Sequence, residues 1–463
     1  MHHLHGTIPH THSNSKAMDM TSGSISRLLL AFALPLLLGN LFQQLYNTVD
    51  SLVVGNFVGT EALAAVGSTT SIINTMVSFF NGVSIGAGVI ISQYYGAHDH
   101  DRLHLSIETT MAITFAGSLA LTAVGVLMVP AMLRFMSTPD DVMESASVYL
   151  RIYFSGVSGL LVYNMGSGIL RAVGDTKRPL MFLCFSSFLN IGLDLLFVII
   201  FHLGIAGVGY ATIIAQFLSA ALILLLLTKS TDVYRFSWKD LCVKKDILKQ
   251  ILIVGLPTGL QQALTSFSNV FVQSYINSFG SGCMAGWSCY TKIDQFIMLP
   301  LRSMGQASTT FVSQNIGARD IPRSKKGTAT ALVMALIITF VSAALLWLFA
   351  PWMVRLFNKE SEVVRYGVLF LRMCVFFMLF SCVNQVLAGA LRGIGNAKVP
   401  MIIMLSSFVV FRQIYLLIAT RISDTAAVVG FGYPAGWIVS AALMTAYYLF
   451  SGWEKKLPSS LDQ

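Results

Sequence analysis

Apolar residues in this chain fall in long runs separated by short polar or basic breaks. Stretches such as 195–200, 213–227 and 331–350 carry no charged residue. A helix that crosses a bilayer needs roughly 20 mostly apolar residues. By that measure the pattern predicts twelve spans, over residues 28–57, 63–95, 103–129, 146–170, 179–201 and 207–227, then 251–279, 285–316, 327–349, 364–391, 400–420 and 434–450. Several exceed what a bilayer requires, which predicts tilted or protruding helices. The organisation expected is an N-terminal tail over 1–26, a six-helix lobe over 27–228, a basic linker over 229–250, a second six-helix lobe over 251–452 and a short C-terminal tail over 453–463.

Composition agrees with this pattern. Of the 463 residues, 55% are hydrophobic and 11% charged, against about 25% charged in a soluble domain. Mean hydropathy is +0.70. The net charge of +9 is spread over loops, so it is not a nucleic-acid surface. Of 30 lysines and arginines, Lys292, Arg302, Arg372 and Arg412 lie within spans, and Arg134, Arg151, Arg355, Lys359, Arg365 and Arg421 fall on the side opposite the N-terminus. The other twenty (30 − 4 − 6) share the N-terminal side. Positive residues stay in the cytoplasm, which predicts a multi-pass protein of the inner membrane with both termini cytoplasmic. The tail holds His2, His3, His5, His10 and His12 but no apolar core, so it is not a signal peptide. It reads as a metal-binding tail, as an unstructured tail, or as sequence upstream of a start at Met18 or Met20. The linker reads as a basic loop or a surface helix against anionic lipid. Six cysteines without metal-ligand spacing read as packing residues.

The chain also repeats itself. Leu170-Arg171-Ala172-Val173-Gly174-Asp175-Thr176-Lys177-Arg178-Pro179 returns as Leu391-Arg392-Gly393-Ile394-Gly395-Asn396-Ala397-Lys398-Val399-Pro400, with 392 − 171 = 395 − 174 = 221. Ser92-Gln93 and Gly96-Ala97 return as Ser313-Gln314 and Gly317-Ala318 at the same offset, and Pro35 returns as Pro257 at 222. Each half has an even number of spans, so the halves share one orientation and their pseudo-twofold axis runs along the membrane normal. Gly82, Gly86, Gly88, Gly166 and Gly168 read as sites of close helix packing.

A carboxylate at membrane depth costs at least ~2.5 kcal/mol, so it marks function more often than not. Three acids lie clearly inside spans: Asp50, Asp194 and Asp294. Asn190 and Asp194 stack on one helix face at i,i+4. Asp194 stands about 22 Å of helical rise beyond Pro179, in the outer half. Thr212 returns at similar depth, and Asp50 lies near the outer end of the first span. Oxygen clusters of this kind suit a proton or a hard cation such as Na⁺; the alternative reading is two unrelated helix-packing polar groups. Asp294 reads either as an attractor of cationic substrate or as an ion-pair partner of Lys292 or Arg412.

Over residues 25–450 the chain resembles the multidrug and toxic compound extrusion (MATE) transporters, in their bacterial form. The resemblance rests on Gln44-Leu45-Tyr46-Asn47-Thr48-Val49-Asp50, on Ala62-Leu63-Ala64-Ala65-Val66-Gly67, on both repeated segments and on Asn190…Asp194. It implies a cation site in the first lobe at Asp50, Asn190, Asp194 and Thr212, with Tyr46 one turn before Asp50. It also implies that Pro35 is a bend point of the first helix. Sodium-coupled relatives carry acids on the seventh and tenth helices. Here those helices offer Gln261, Gln262, Asn384 and Gln385, so no second-lobe cation site is implied.

The expected protein is an all-α antiporter, monomeric and without cofactor, that exports drug-like, often cationic amphipathic compounds by alternating access, driven by H⁺ or Na⁺. A flippase for lipid-linked saccharides is the alternative, disfavoured because few arginines lie within spans. A membrane-embedded transferase is weaker still, since the histidines lie in tails, loops or span ends with no nucleophile motif. No G-x-x-x-x-G-K-[ST] segment exists for a nucleotide-driven pump.

Overall fold

The computed structural model describes residues 17–135, 138, 140–423 and 425–456. Among these, twelve helices run back and forth: α1 (Ile25–Val58), α2 (Thr60–Gly96), α3 (His100–Phe135), α4 (Asp140–Ala172), α5 (Lys177–Ile200) and α6 (Gly204–Lys229), then α7 (Lys245–Asn277), α8 (Ser281–Gly317), α9 (Ile321–Arg355), α10 (Ser361–Gly393), α11 (Lys398–Ile422) and α12 (Ala426–Phe450). Ten helices of the set are long and apolar enough to cross a membrane by composition alone, and α7 and α8 are the exceptions. Both pack against the other lobe, α7 on α2 and α8 on α1 and α2, while α7 also keeps an exposed apolar face at Ile253, Leu256, Leu260 and Leu264. Helix α9 presents Ile337, Phe340, Leu345 and Leu348 outward, as a lipid-facing helix does. The connection over 230–244 is irregular, and α7 begins at Lys245, so the last six residues of the expected linker belong to a helix.

The repeated segments fold alike because their chemistry is alike. Gly174 and Gly395 both have positive φ, 86° and 95°, a conformation that glycine adopts without the Cβ penalty. Each turn then caps the next helix: Asp175 accepts from the Arg178 amide at 3.2 Å, and Asn396 from the Val399 amide at 3.4 Å. The other pair of repeated turns behaves the same way, with Asp99 accepting from Arg102 N at 3.0 Å and Asp320 from Arg323 N at 2.9 Å.

Between the lobes, α2 meets α7 over the most extensive helix contact in the molecule. Glycines make it possible. A Cβ on Gly82 would sit 2.2 Å from the Gly259 nitrogen, and one on Gly86 would sit 2.5 Å from the Ile251 carbonyl oxygen. At the basic end of the bundle, Gln93 of α2 donates to the Gly393 carbonyl at 2.9 Å, and Gln314 of α8 donates to the Ala172 carbonyl at 3.0 Å. The backbone crosses closely there, since a Cβ on Gly96 would meet the Gln314 carbonyl oxygen at 1.9 Å and one on Gly317 the Gln93 oxygen at 1.9 Å.

The N-terminal segment takes part in this closure. Ala17 onward is not a loose tail: Met20 is fully buried, its amide donates to Gln314 Oε1 at 2.8 Å, and its carbonyl accepts from Asn315 Nδ2 at 3.2 Å. Met18 N reaches the Val173 carbonyl at 3.0 Å, so this short stretch stitches both lobes. The histidines at 2–12 lie outside the described residues.

Candidate cation site

The acidic site is assembled from α1, α4 and α5. Asp194 is fully buried and Asn190, one turn earlier on α5, is 1% exposed. The carboxyl groups of Asp50 and Asp194 lie close enough to interact. As carboxylates neither can donate. Asp50 Oδ1, both Asp194 oxygens and both polar atoms of the Asn190 side chain are buried without a hydrogen-bond partner among the described residues. Buried polar atoms are nearly always satisfied, so five together form a cradle of oxygens, with one amide, that fits a proton or a small hard cation.

Three tyrosines close the cradle. Tyr46 of α1 lies close enough to feel the charge of Asp50 and Asp194, and Tyr149 and Tyr153 of α4 stand beside it. The rings of Tyr149 and Tyr153 are 6.3 Å apart. Gln216 of α6 adds another buried oxygen without a partner. Tyr149, Tyr153 and Gln216 were not singled out in the sequence. The signal available was Tyr-x-x-x-Tyr, which puts two phenols on one face of a span.

Thr212 is 3% exposed, and its hydroxyl donates to the Val208 carbonyl of its own helix at 2.9 Å. Its proton is therefore committed away from the carboxyls. α1 runs unbroken through Pro35. Both acid-bearing helices slacken into π-helical turns just past their acids, over Val54–Val58 and Leu196–Ile200, and the two turns touch. Such turns occur where a helix departs from regular geometry, frequently at functional sites.

Applying the repeat offset to this site shows how the second lobe differs. Tyr46 and Asn47 correspond to Ser268 and Asn269 (offset 222), Asp50 to Val272, Asp194 to Tyr415 and Thr212 to Tyr433 (offset 221). No acid remains there. Instead Arg412, 3% exposed, donates through Nη2 to Ser268 Oγ at 2.7 Å and to Asn269 Oδ1 at 3.0 Å. Its guanidinium lies 4.7 Å from the centre of the Tyr433 ring. A fixed cation thus occupies the second lobe where the first presents bare carboxyls.

Asp294 stands apart from the acidic site. Its Oδ1 accepts from the Tyr290 hydroxyl at 3.5 Å. It pairs with neither basic residue considered for it: Lys292 turns to the Phe357 ring at 5.8 Å, and Arg412 is engaged as described. The positive charge that Asp294 feels is Arg302, two turns further along α8. Beside it Trp287, Tyr290, Phe370 and Tyr433 form a contiguous aromatic group, with ring centres 4.9 to 6.3 Å apart. Two bonds cross from α1 to this wall, Asn40 to Ser303 at 3.3 Å and Gln44 to Gln295 at 3.3 Å.

Comparison with known proteins agrees with this architecture. The MatE family model matches residues 35–196 and again 257–417, once per lobe. The probable multidrug resistance protein YpnP of Bacillus subtilis is 31% identical over 95% of this chain and 98% of its own length. A second protein of that organism, the probable multidrug resistance protein YoeA, is 29% identical over 95% of this chain and 96% of its own. A solved MOP superfamily transporter from Pyrococcus furiosus superposes with a TM-score of 0.88 over 97% of this chain and 100% of that one, at 24% identity, a level that speaks to the fold. With both lobes matched by one family model and the helices those of an integral membrane bundle, the chain belongs to the MatE family of membrane transporters.

Proposed function

We propose that the protein is a cation-coupled antiporter that exports drug-like, amphipathic, often cationic compounds, with H⁺ or Na⁺ entering at Asp50, Asn190 and Asp194. The observation that carries this reading is the group of five buried polar atoms on those three residues without partners. Two carboxylates held close together repel, and a bound cation relieves the repulsion. Loading the cradle pulls α1 and α5 together; emptying it lets them part, and the adjacent π turns give both helices room to move. The names of the relatives support drug-like cargo. Asp294 and the aromatic group next to it offer a cationic amphiphile a carboxylate and ring faces.

Alternating access then consists of rocking the lobes about the glycine crossing of α2 and α7. In the state seen here the basic end is shut by Gln93, Gln314 and residues 17–24. The bias of basic residues supports a cytoplasmic position for that end and for both termini. One chain holds both lobes and suffices as a monomer. A single charge crossing 100 mV supplies about 2.3 kcal/mol, enough for roughly a 40-fold gradient of cargo.

The test is efflux of a fluorescent lipophilic cation from proteoliposomes under separately imposed proton and sodium gradients. Asp50→Asn and Asp194→Asn are expected to abolish gradient-driven efflux while the protein still inserts and purifies. Wild-type efflux from both variants would remove the site from the mechanism.

A further inference from the structure

Where α7 and α11 begin, at the basic end of the bundle, the surface holds a groove of about 430 Å³. Leu248, Leu252, Ile253, Leu256 and Pro257 form its wall, and Lys245, Lys249 and Lys398 stand at its mouth. Positions 245, 248, 249, 252 and 256 share one face of α7 by helical spacing. The neighbouring acid, Asp246, lies off that stripe and towards Arg102. One turn on, Gln250 accepts from the Tyr94 hydroxyl at 3.0 Å on that same side. The helix thus turns its compensated polar face to the first lobe and its lysines to the groove. All three lysines are exposed, no carboxylate lines the groove, and none of the three makes an ion pair among the described residues.

The groove straddles the boundary between headgroups and hydrocarbon. Trp238, in the connection leading into α7, is exposed and stacked 5.3 Å from Phe115, and exposed tryptophan marks that boundary. From Lys245 to Pro257 the helix rises about 18 Å, so the apolar wall descends from the interface into oil. Two helix N-termini, of α7 and α11, add positive potential at the mouth.

We propose that this groove is a binding site for an anionic phospholipid, with the phosphate held by Lys245, Lys249 and Lys398 and an acyl chain laid along Leu252, Ile253 and Leu256. Three uncompensated cations at headgroup depth call for negative charge, and an apolar wall continuing into hydrocarbon calls for a chain attached to it. An acidic protein segment or a free phosphate would use the lysines and leave the wall uncovered. The site is asymmetric between the lobes. At the repeat offsets Lys249 and Lys398 correspond to Arg27 and Lys177, but Lys245 corresponds to Gly23, one cation fewer. A lipid seated here bridges α7 and α11 beside Pro257, the counterpart of Pro35. The inference needs the helices to span a bilayer and is independent of the transport proposal.

The experiment uses full-length protein in detergent, titrated with phosphatidylglycerol and with phosphatidylcholine and read by native mass spectrometry. Wild type is expected to prefer phosphatidylglycerol by at least about tenfold. The triple variant Lys245→Gln/Lys249→Gln/Lys398→Gln should lose that preference. The control Lys229→Gln/Arg235→Gln/Lys239→Gln removes equal charge from the same end and should keep it. Leu252→Asn should weaken lipid binding with the lysines intact. Equal loss in both triple variants would overturn the site in favour of diffuse attraction. Displacement of the lipid by millimolar glycerol phosphate or by an acidic peptide would overturn the lipid as occupant. Each single lysine substitution, expected to cost several-fold, carries the same comparison should the triple variant fail to fold.

Discussion

Gln93 and Gln314, 221 positions apart, make mirrored bonds across the molecule. Each leaves the end of a central helix in its own lobe and donates to a carbonyl in the repeated segment of the other, Gly393 for Gln93 and Ala172 for Gln314. The acceptors are themselves 393 − 172 = 221 apart. Both glutamines are buried, 8% and 0% exposed. The repeat seen in the chain is therefore also the latch that holds its two halves together at the basic end.

This latch gives the first prediction. Gln93→Ala removes the side-chain donor to the Gly393 carbonyl, and Gln314→Ala leaves the buried Met20 amide without its acceptor while the Ala172 carbonyl keeps the Ser92 hydroxyl; a buried group left unpaired costs about 1–3 kcal/mol. Both variants are expected to open the basic end. Spin labels on the ends of α2 and α8, read by electron–electron distance measurement, should show a longer population than in wild type. An unchanged distance distribution in the double variant would mean that the latch does not hold the lobes.

The acidic cradle makes a second prediction with an unusual sign. Asp194→Asn replaces one of two neighbouring carboxyls with a group that can donate to the other. Thermal stability in detergent should stay level or rise, although a buried residue has been changed. At the same time, stabilisation by the coupling ion should disappear, because a ligand stabilises only what binds it. A scan of melting temperature against Na⁺ concentration and against pH, for wild type and variant, reads both effects.

The glycine crossing supplies a third. Gly82→Val would drive a side chain into the Gly259 backbone, where nothing flexible can yield. The closed arrangement of α2 on α7 should be lost or strained by about 1–3 kcal/mol. Limited proteolysis and a melting curve would show it. Gly192, whose added Cβ meets nothing within 4 Å, is the control: Gly192→Ala should be tolerated.

A fourth concerns the fixed cation of the second lobe. Ser268 receives the Arg412 guanidinium and passes its own proton to the Phe408 carbonyl at 2.9 Å. Ser268→Ala breaks these links and a third, from Gln413 Nε2 at 3.3 Å, and hydrogen bonds to charged groups are worth about 1.5–3 kcal/mol. The expected outcome is a lower melting temperature with the ion dependence of the first lobe intact, since Ser268 is remote from the acidic cradle.

Much of this protein could be read from the chain because the bilayer is so restrictive a solvent. Unpaired backbone cannot face oil, so long apolar runs had to be helices, and their number, order and duplication followed. The acids Asp50 and Asp194 stood out for the same reason. Periodicity carries no information on which faces meet. It left α7 and α8 among twelve similar spans, whereas packing turns Gln295, Ser303 and Gln314 of α8 to the other lobe and Gln261, Ser268 and Asn269 of α7 to partners in their own. It placed Thr212 near the acids by depth but could not show that its hydroxyl proton goes to the Val208 carbonyl, leaving only the oxygen lone pairs to offer a cation. It offered Lys292 and Arg412 as partners of Asp294, but rotation about the helix axis sends one to Phe357 and the other to Ser268. Tyr149, Tyr153 and Gln216 joined the cradle only in three dimensions, because a side chain's direction is set by the neighbours its helix packs on. The sequence by itself determined which segments could live in oil and that they came in two copies; only tertiary structure decided how those copies lock, and that one lobe keeps open carboxyls where the other has filled the place with an arginine.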